Sequence, residues 1–243
     1  VKEGTQIIED MLPGGMDDGL FRFFEASSIR KIEDKYVFIY SRWSNHGEFG
    51  LPVTNYTLAY AYSDAPLGPW TYGGTIIDGR GRETDEAGNP IASATVSGNT
   101  HGSICEINGQ WYVFYHRQTG LDEFARQAMV APITVKVEDG KVVITEGEYN
   151  SEGFALEGLD PLEKYSAGIA CWYTGPKVAE HNWPNKIFYG SYVASGYGTD
   201  DKFEAPYALR NNHNPVVNNT DGSIVGYKYF NFTATHGRRN LKL

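Results

Sequence analysis

One carboxylate next to two aromatic rings is the group in this sequence best suited to acid–base chemistry. Glu25 follows Phe23 and Phe24 and precedes the strand-like run Ala26–Ile29. Apolar rings beside a carboxyl group limit its solvation, which disfavours the charged form and favours a proton donor near neutral pH. Glu25 is therefore a candidate general acid. The alternative interpretation is a glutamate at a strand end that binds neighbouring backbone groups.

The segment that follows Glu25 has the pattern of a β-hairpin. Ser28–Ile32 and Tyr36–Tyr40 are rich in β-branched and aromatic residues, and the turn Glu33–Lys35 separates them. The second strand is apolar on both faces, so we expect it to be covered on both sides, as between stacked sheets. This hairpin is the element that positions Glu25.

The same hairpin pattern recurs 75 residues later, in Ser103–Arg117, where Ser103 matches Ser28 and Arg117 matches Arg42. Each unit is expected to continue with a third strand and a fourth, outer strand. The third strands are predicted at Leu58–Tyr62 and Arg126–Val130, and the fourth at Thr71–Ile77 and Val142–Thr145. Four antiparallel strands per repeat are typical of a β-propeller blade.

Composition supports an all-β chain. The 243 residues include Tyr 17, Trp 5 and Gly 28 but only Met 3, a balance that suits strands, turns and aromatic platforms. Helical amphipathic spacing is not sustained over a dozen residues, and the segment 78–99 lacks hydrophobic periodicity, which predicts a surface loop. Cys105 and Cys171 lie in apolar surroundings and are expected to be buried small hydrophobes.

The formal net charge of -9 and the pI near 5.2 argue against nucleic acid as a partner, because phosphate binding needs a basic surface. A neutral or weakly charged substrate fits better. No apolar run is long enough to span a bilayer, so no membrane partner is expected, and no signal peptide or initiating Met is present. We therefore expect the chain to be a fragment that starts at Val1.

Four motifs in this order resemble glycoside hydrolase family 43. They are Phe23–Lys31, Asn99–Ser103, Trp111–Gln118 and Phe124–Gln127. The resemblance covers roughly residues 20–175. It implies a five-bladed β-propeller enzyme that acts on arabinose- and xylose-containing polysaccharides.

The resemblance implies inverting hydrolysis with three carboxyl groups, an Asp base, an Asp that tunes the acid and a Glu acid. Glu25 matches the acid, and inversion requires the base to stand roughly 6.5–9.5 Å away. Both Asp residues belong to earlier blades in the family. Asp17 and Asp18 precede Glu25, but no motif supports either as the base.

Three further residues acquire expected roles from the resemblance. His101 matches a histidine that points into the propeller channel beneath the sugar, where it holds an ion, often calcium, directly or through water; the alternative is a turn histidine bound to its own backbone. Arg126 matches an arginine of the substrate pocket, with a surface ion pair as the alternative. Trp43 is a candidate stacking platform or a packing residue, whereas His116 and Arg117 are expected to face the outer layers.

The resulting prediction is an all-β chain with a partial five-bladed β-propeller, followed by part of a β-sandwich that is like a carbohydrate-binding module. Residues 1–175 are expected to form the later blades, and residues 176–243 a linker and the start of the sandwich. No cofactor is expected to be required, and calcium is a candidate ion in the propeller channel.

The predicted function is a secreted or periplasmic glycosidase of the arabinofuranosidase or xylosidase type, whose partner is a plant cell-wall poly- or oligosaccharide. The missing blades would come from the rest of the protein or another chain, so this polypeptide alone is expected to be inactive. The alternatives are a non-catalytic carbohydrate-binding propeller and a structural propeller for protein partners.

Overall fold

The computed structural model describes residues 3–5, 11–15, 19–45, 47–94, 100–119, 125–175, 181–182, 187–188, 190–194 and 214–235. These residues are all-β. Their strands up to residue 118 are β1 (Phe23–Ile32), β2 (Lys35–Ser44), β3 (Thr54–Ser63), β4 (Thr71–Asp78), β5 (Arg82–Thr84), β6 (Pro90–Ala92), β7 (Gly102–Ile107) and β8 (Gln110–Gln118). The later strands are β9 (Arg126–Ile133), β10 (Val135–Glu138), β11 (Lys141–Ile144), β12 (Trp172–Thr174), β13 (His181–Asn182), β14 (Ile187–Phe188), β15 (Tyr192–Val193), β16 (Val216–Val217) and β17 (Ile224–Gly226). Short 3₁₀ helices span Glu48–Gly50, Ala167–Ile169 and Phe232–Thr235.

The first sheet is a four-stranded antiparallel meander in the order β1-β2-β3-β4. Its first hairpin closes with Ile32 opposite Lys35, and Glu33 in the turn has a φ of 52°. Side chains alternate along β2, so Val37 and Ile39 lie in one apolar cluster while Phe38 and Tyr40 lie in another. The predictions of a four-stranded unit and of a strand covered on both faces are confirmed.

The second sheet repeats the hairpin but has three strands, in the order β7-β8-β9. Ile107 pairs with Gln110 across the turn Asn108–Gly109, as Ile32 pairs with Lys35 in the first sheet. The first three strands of the repeat are thus confirmed at the predicted positions.

The predicted fourth strand of the second unit is wrong. Val142 and its neighbours form β11, which pairs with β10 in a separate two-stranded sheet. An Asp139–Gly140 turn with positive φ at both residues favours a tight hairpin with the preceding segment, so β11 finds a local partner. This hairpin packs on the first sheet, where the Tyr60 hydroxyl donates to Val142 O and accepts from Ile144 N, both at 3.1 Å.

The two sheets lie side by side along their first strands. The hydroxyls of Ser28 and Ser103, which the repeat makes equivalent, are 2.7 Å apart, and Arg30 Nε donates to Ile104 O at 3.2 Å. Because both contacts advance along β1 and β7 in the same sense, the two strands run parallel. Neighbouring blades of a propeller have this relation. The closed five-bladed propeller stays a prediction.

Two other sequence expectations need correction. The predicted loop at 78–99 contains the hairpin β5–β6, and Arg80 within it is fully buried against Asp78. Cys171 is buried as expected, but Cys105 is exposed. Cys105 follows Ile104 in β7, and strand alternation turns it away from the core in which Ile104 is buried.

The C-terminal residues pair with the segment that precedes the predicted boundary. β12 pairs with β17, and Leu159 forms a parallel bridge with Phe230. Strands on both sides of the predicted boundary at 175–176 thus hydrogen-bond to each other. The boundary itself and the β-sandwich stay predictions. Among the described residues, no helix has the length and apolar character needed to cross a membrane.

Candidate active site

Glu25 lies in an irregular part of β1. The pairing of β1 with β2 shifts register between Phe23 and Glu25 and again between Glu25 and Ser28, and Ala26 has a φ of 58°. Bulges of this kind re-aim side chains and are frequent next to active sites. The local sequence thus presents Glu25 at the sheet edge through a deviation from regular pleating.

The two aromatic rings before Glu25 point in different directions. Phe23 packs on Tyr40 with ring centroids 5.7 Å apart, whereas Phe24 packs edge-to-face on Trp43 at 5.0 Å. The side chain of Glu25 remains 40% exposed. The expectation that both rings shield this carboxyl group from water is therefore wrong, because the bulge moves the carboxyl group away from them.

His101 is a described partner of Glu25. Its Nε2 lies 2.6 Å from Glu25 Oε1, and both side chains are about equally exposed. His101 precedes β7 directly, and the parallel packing of β1 and β7 brings it beside the start of β1. The structure therefore brings together two residues that are 76 positions apart in the sequence.

His116 is a further neighbour of this pair, although the sequence predicted that it would face the outer layers. The backbone N–H of His101 donates to His116 Nδ1 at 3.4 Å, and the two rings meet edge-to-face with centroids 5.2 Å apart. The equivalent residue in the first repeat, Ser41, donates its hydroxyl to Thr100 O. The sequence repeat makes residue 41 equivalent to residue 116. This equivalence could have identified the shared role of Ser41 and His116, which is to hold residues 100–101 in place.

Arg117 was expected to face the outer layers, and this is wrong. Its side chain is fully buried and donates to Ala170 O at 2.6 Å and to Gly168 O at 2.7 Å. It also donates to the side chains of Gln127 and Tyr149. Arg117 thus ties the second sheet to residues 168–170 and has a structural role.

All four predicted site residues lie at the same end of the two sheets, where strands begin or finish. Glu25 is near the start of β1, Trp43 near the end of β2, His101 just before β7, and Arg126 at the start of β9. In an antiparallel meander, the start of the first strand, the end of the second and the start of the third lie at the same end of the sheet. We call this end of the two sheets the rim.

Arg126 faces a cavity of its own on the rim. The cavity measures about 230 Å³ and is lined by Arg126, Gln127 and Thr119 together with residues 193–194 and Asn214. Glu25 does not line it. The structure thus brings Arg126 to the same rim as Glu25 and places it in a cavity that the C-terminal residues help to form.

A network around Glu48 fixes the loop next to Trp43. The Glu48 carboxylate accepts from Arg22 Nη1 and Arg42 Nη1, both at 2.9 Å, and from Asn45 N at 2.7 Å. Arg42 is buried, and charge-assisted hydrogen bonds of this kind hold a loop in one geometry. Trp43 N donates to Arg22 O at 3.0 Å, which positions the indole beside Phe24.

Calcium in the propeller channel stays a prediction. Calcium takes six to eight oxygen ligands, whereas no group of three or more His, Cys, Asp or Glu side chains suited to a metal occurs among the described residues. Nε2 of His101 is already within hydrogen-bond distance of Glu25. Asp17 and Asp18, as well as Asn99 and Phe124 of the matching motifs, lie outside the described residues.

No family model matches the chain. Curated relatives do match it. A xylosidase/arabinosidase of Thermoclostridium stercorarium is 35% identical over 213 residues, which is 86% of this chain and 40% of the relative. An arabinoxylan arabinofuranohydrolase of Paenibacillus polymyxa is 29% identical over 160 residues, which is 63% of this chain and 23% of the relative. The chain therefore spans less than half the length of these relatives.

Solved structures of the same kind also match. A glycoside hydrolase family 43 β-xylosidase/α-arabinofuranosidase from a compost microbial metagenome, in complex with xylotriose and in a calcium-free form, is 32% identical. The match covers 50% of this chain and 29% of that one, with a TM-score of 0.34, which is too low to compare the overall folds. The sequence relationship to the xylosidase/arabinosidases confirms the resemblance stated above, and the chain is a relative of glycoside hydrolase family 43 that matches part of these enzymes.

Proposed function

We propose that this chain is part of an inverting glycoside hydrolase that cleaves arabinose- or xylose-containing cell-wall polysaccharides, with Glu25 as the proton donor. The observation that carries the proposal is the 2.6 Å contact between Glu25 and His101 on an exposed rim where two repeat units meet. The curated relatives, named xylosidases and arabinofuranohydrolases, support the substrate class. Acid–base hydrolysis of this kind uses carboxyl groups and water and needs no organic cofactor.

Glu25 has the arrangement of a general acid that is oriented by a neighbour. In the tautomer with hydrogen on Nε2, His101 donates to Oε1 of Glu25, and in the proposed reaction Oε2 carries the proton. That proton passes to the glycosidic oxygen as its bond to the anomeric carbon breaks. A base on the opposite face of the sugar removes a proton from water, and the oxygen of that water bonds to the anomeric carbon with inversion.

The substrate-binding residues of the proposal are Trp43, His101 and Arg126. The partly buried indole of Trp43 offers an aromatic surface for a sugar ring next to Phe24. Arg126, Gln127 and Asn214 line the neighbouring cavity, and the guanidinium group of Arg126 is suited to bind hydroxyl oxygens. A polymeric substrate of this kind favours a secreted or periplasmic location for the protein.

The test of the acid is the substitution Glu25→Gln in a polypeptide that also carries the remaining blades. We expect kcat on an aryl xyloside or arabinofuranoside to fall by about 100-fold or more, because general acid catalysis contributes about 10²–10⁴. Xylan binding should persist. Glu33→Gln, in the exposed turn of the same hairpin, is the matched control and should leave kcat unchanged.

Two results would contradict the proposal. Unchanged turnover in Glu25→Gln would remove Glu25 from the acid role. Xylan binding without turnover in the parent protein would favour the alternative, a non-catalytic carbohydrate-binding propeller. We further propose that the 243 residues alone do not hydrolyse glycosides, because no described carboxylate has motif support as the base; turnover by this chain alone would overturn that statement.

A further inference from the structure

A second groove with aromatic and polar walls lies between one wall formed by Glu152 and residues 156–158 and another formed by residues 229–233. It measures about 550 Å³ and is open to solvent. None of Glu25, Trp43, His101 and Arg126 lines it. The groove is therefore a separate feature from the candidate active site, built by the segment after Tyr149 and the C-terminal residues.

Backbone hydrogen bonds hold the two walls of the groove together. Leu159 N donates to Tyr229 O, and Asn231 N donates to Leu159 O, each at 2.8 Å. A β-carbon added at Gly158 would lie 3.1 Å from Asn231 N. The absence of a side chain at this position therefore allows the two segments to approach each other. This wall-to-wall pairing gives the groove a fixed shape before any ligand binds.

The floor of the groove exposes aromatic surface. Tyr229 is 46% exposed and Phe232 is 54% exposed, and Phe230 lies between them with its ring 6.3 Å from that of Phe232. The Tyr229 hydroxyl donates to Glu148 Oε1 at 2.6 Å, which restricts the orientation of this ring. Flat aromatic faces open to water are suited to the C–H groups of a sugar ring, which offer apolar surface beside their hydroxyls.

Polar side chains surround this floor. Glu152 and Glu157 line one wall, and Asn231 and Thr233 line the other. The Asn231 side-chain oxygen accepts from Thr233 N at 3.0 Å, and this contact leaves the amide N–H groups of Asn231 for a ligand. The pKa of Glu152 is raised, mainly by burial and to a smaller extent by the charge of Glu148. Its carboxyl group is therefore incompletely hydrated. A polar wall of this composition both accepts and donates hydrogen bonds, as the hydroxyls of a sugar require.

The charges of the groove select against other ligand classes. Its lining contains two carboxylates and no cationic side chain, so an anionic ligand would be repelled. A quaternary ammonium ion requires rings that enclose it, whereas Phe230 and Phe232 are tilted by 42° on an open floor. A neutral polyhydroxylated ring satisfies both the aromatic floor and the polar walls.

We propose that this groove is a second carbohydrate-binding site, which takes a neutral oligosaccharide of pentoses by stacking on Phe232 and Tyr229. The choice of pentoses rests on the proposed function, whereas the sugar class rests on the groove. Such a site would hold a polysaccharide chain on the protein while the rim acts on another part of the chain.

The test is the binding of xylohexaose to the ¹⁵N-labelled 243-residue chain. We expect the backbone amide signals of residues 229–233 to shift on titration. Phe232→Ala should weaken binding at these signals by about tenfold, which corresponds to about 1.4 kcal/mol. Phe232→Leu, which keeps an apolar side chain without a flat face, should weaken it almost as much, and Phe232→Tyr should restore it.

Phe154→Ala is the matched control. Phe154 is 56% exposed, close to the value for Phe232, and it packs on Tyr112 with a centroid distance of 5.1 Å without lining the groove. We expect it to bind xylohexaose as the parent does. Absence of shifts at residues 229–233, equal binding by Phe232→Ala and the parent, or binding of choline in place of xylohexaose would overturn the inference.

Failure of this inference is separable from failure of the proposed function. Glu25→Gln should retain the shifts at residues 229–233, since Glu25 does not line the groove. Hydrolysis of aryl glycosides without binding at the groove would refute the second site alone. Binding at the groove without hydrolysis in the longer protein would refute the glycosidase alone.

Discussion

At the residue scale, the contact between Glu25 and His101 depends on a third residue. His116 Nδ1 accepts from the backbone N–H of His101, and its ring packs on the ring of His101. A hydrogen-bonding neighbour that fixes the orientation of a catalytic group affects kcat more than binding. His116 is thus a positioning residue of the proposed reaction.

His116→Ala is expected to lower kcat by about tenfold with little change in KM, because His101 loses the acceptor that orients it. His116→Asn places an amide oxygen near the position of Nδ1 and should recover most of kcat. Steady-state kinetics of both variants, in a polypeptide with the remaining blades, provide the measurement. Equal losses of kcat in the two variants would show that the ring acts by packing alone.

Arg117 allows a stability prediction that needs no catalysis. Its buried guanidinium donates to Ala170 O and Gly168 O. In Arg117→Met, Ala170 O would lose its described side-chain donor, whereas Gly168 O would keep the donor Gln127 Nε2 at 3.0 Å. An unsatisfied buried polar group costs about 1–3 kcal/mol, so we expect the free energy of unfolding to fall by about 2 kcal/mol.

Denaturant titration of Arg117→Met measures this loss. The control is Lys136→Met, because Lys136 pairs with Glu138 in a solvent-exposed ion pair and should change stability by less than about 0.5 kcal/mol. A similar small change in both variants would mean that the carbonyl of Ala170 finds another donor.

At the element scale, the bulge in β1 decides where Glu25 points. Ala26 has a φ of 58°, in the left-handed region that costs a residue with a β-carbon roughly 1–2 kcal/mol. Glycine there removes this cost but gains about 0.5–1 kcal/mol of freedom in the unfolded chain. We therefore expect Ala26→Gly to raise the free energy of unfolding by about 0.5 kcal/mol.

Ala26→Val is the opposing change. A β-branched side chain tolerates the left-handed region poorly, so valine should destabilise the chain by about 1 kcal/mol or move β1 back to regular pairing. Thermal unfolding should show that the glycine variant is more stable than the parent and the valine variant less stable. A more stable valine variant would show that the chain prefers a regular β1 over the bulge.

The contrast between β4 and β11 shows how far the sequence predicts these elements. Hairpins built on local turns and alternating apolar residues were found at the right positions in both repeats, because their partners are adjacent in the chain. The fourth strand of the second unit was misplaced because repeat matching extended a pattern that the Asp139–Gly140 turn overrides. A local turn whose backbone geometry suits a hairpin decides the pairing of β11 more strongly than its sequence match to the first repeat unit.

The sequence nominated the residues of the candidate site but not their contacts. Motif matches and strand position selected Glu25, His101, Trp43 and Arg126, and the strand order of the structure brings all four to one rim. Their roles in catalysis and binding stay predictions. The exposure of Glu25 and the position of His116 were not predictable. Both depend on the bulge in β1 and on the parallel packing of β1 against β7, which no local pattern encodes.

At the scale of the whole molecule, buried tyrosines set the alkaline limit of stability. Burial raises the pKa of Tyr40, Tyr115 and Tyr173 above the usual value of about 10, because the charged phenolate is poorly solvated inside the protein. Nearby arginines lower the pKa of each in part, without cancelling the effect of burial. These rings lie in β2, β8 and β12, so they report on widely separated strands.

The sign of the effect follows from where the protons bind. Below pH 10 both the folded and the unfolded chain keep these phenols protonated, and the full stability is present. Above pH 10 the unfolded chain loses protons that the folded chain retains, so the free energy of unfolding falls as the pH rises. We expect part of the tyrosine absorbance at 295 nm to titrate near pH 10, and the remainder to appear in a second step together with loss of the far-ultraviolet circular dichroism of the strands. A single titration of all 17 tyrosines that is complete before the circular dichroism changes would show that water reaches these rings in the folded chain.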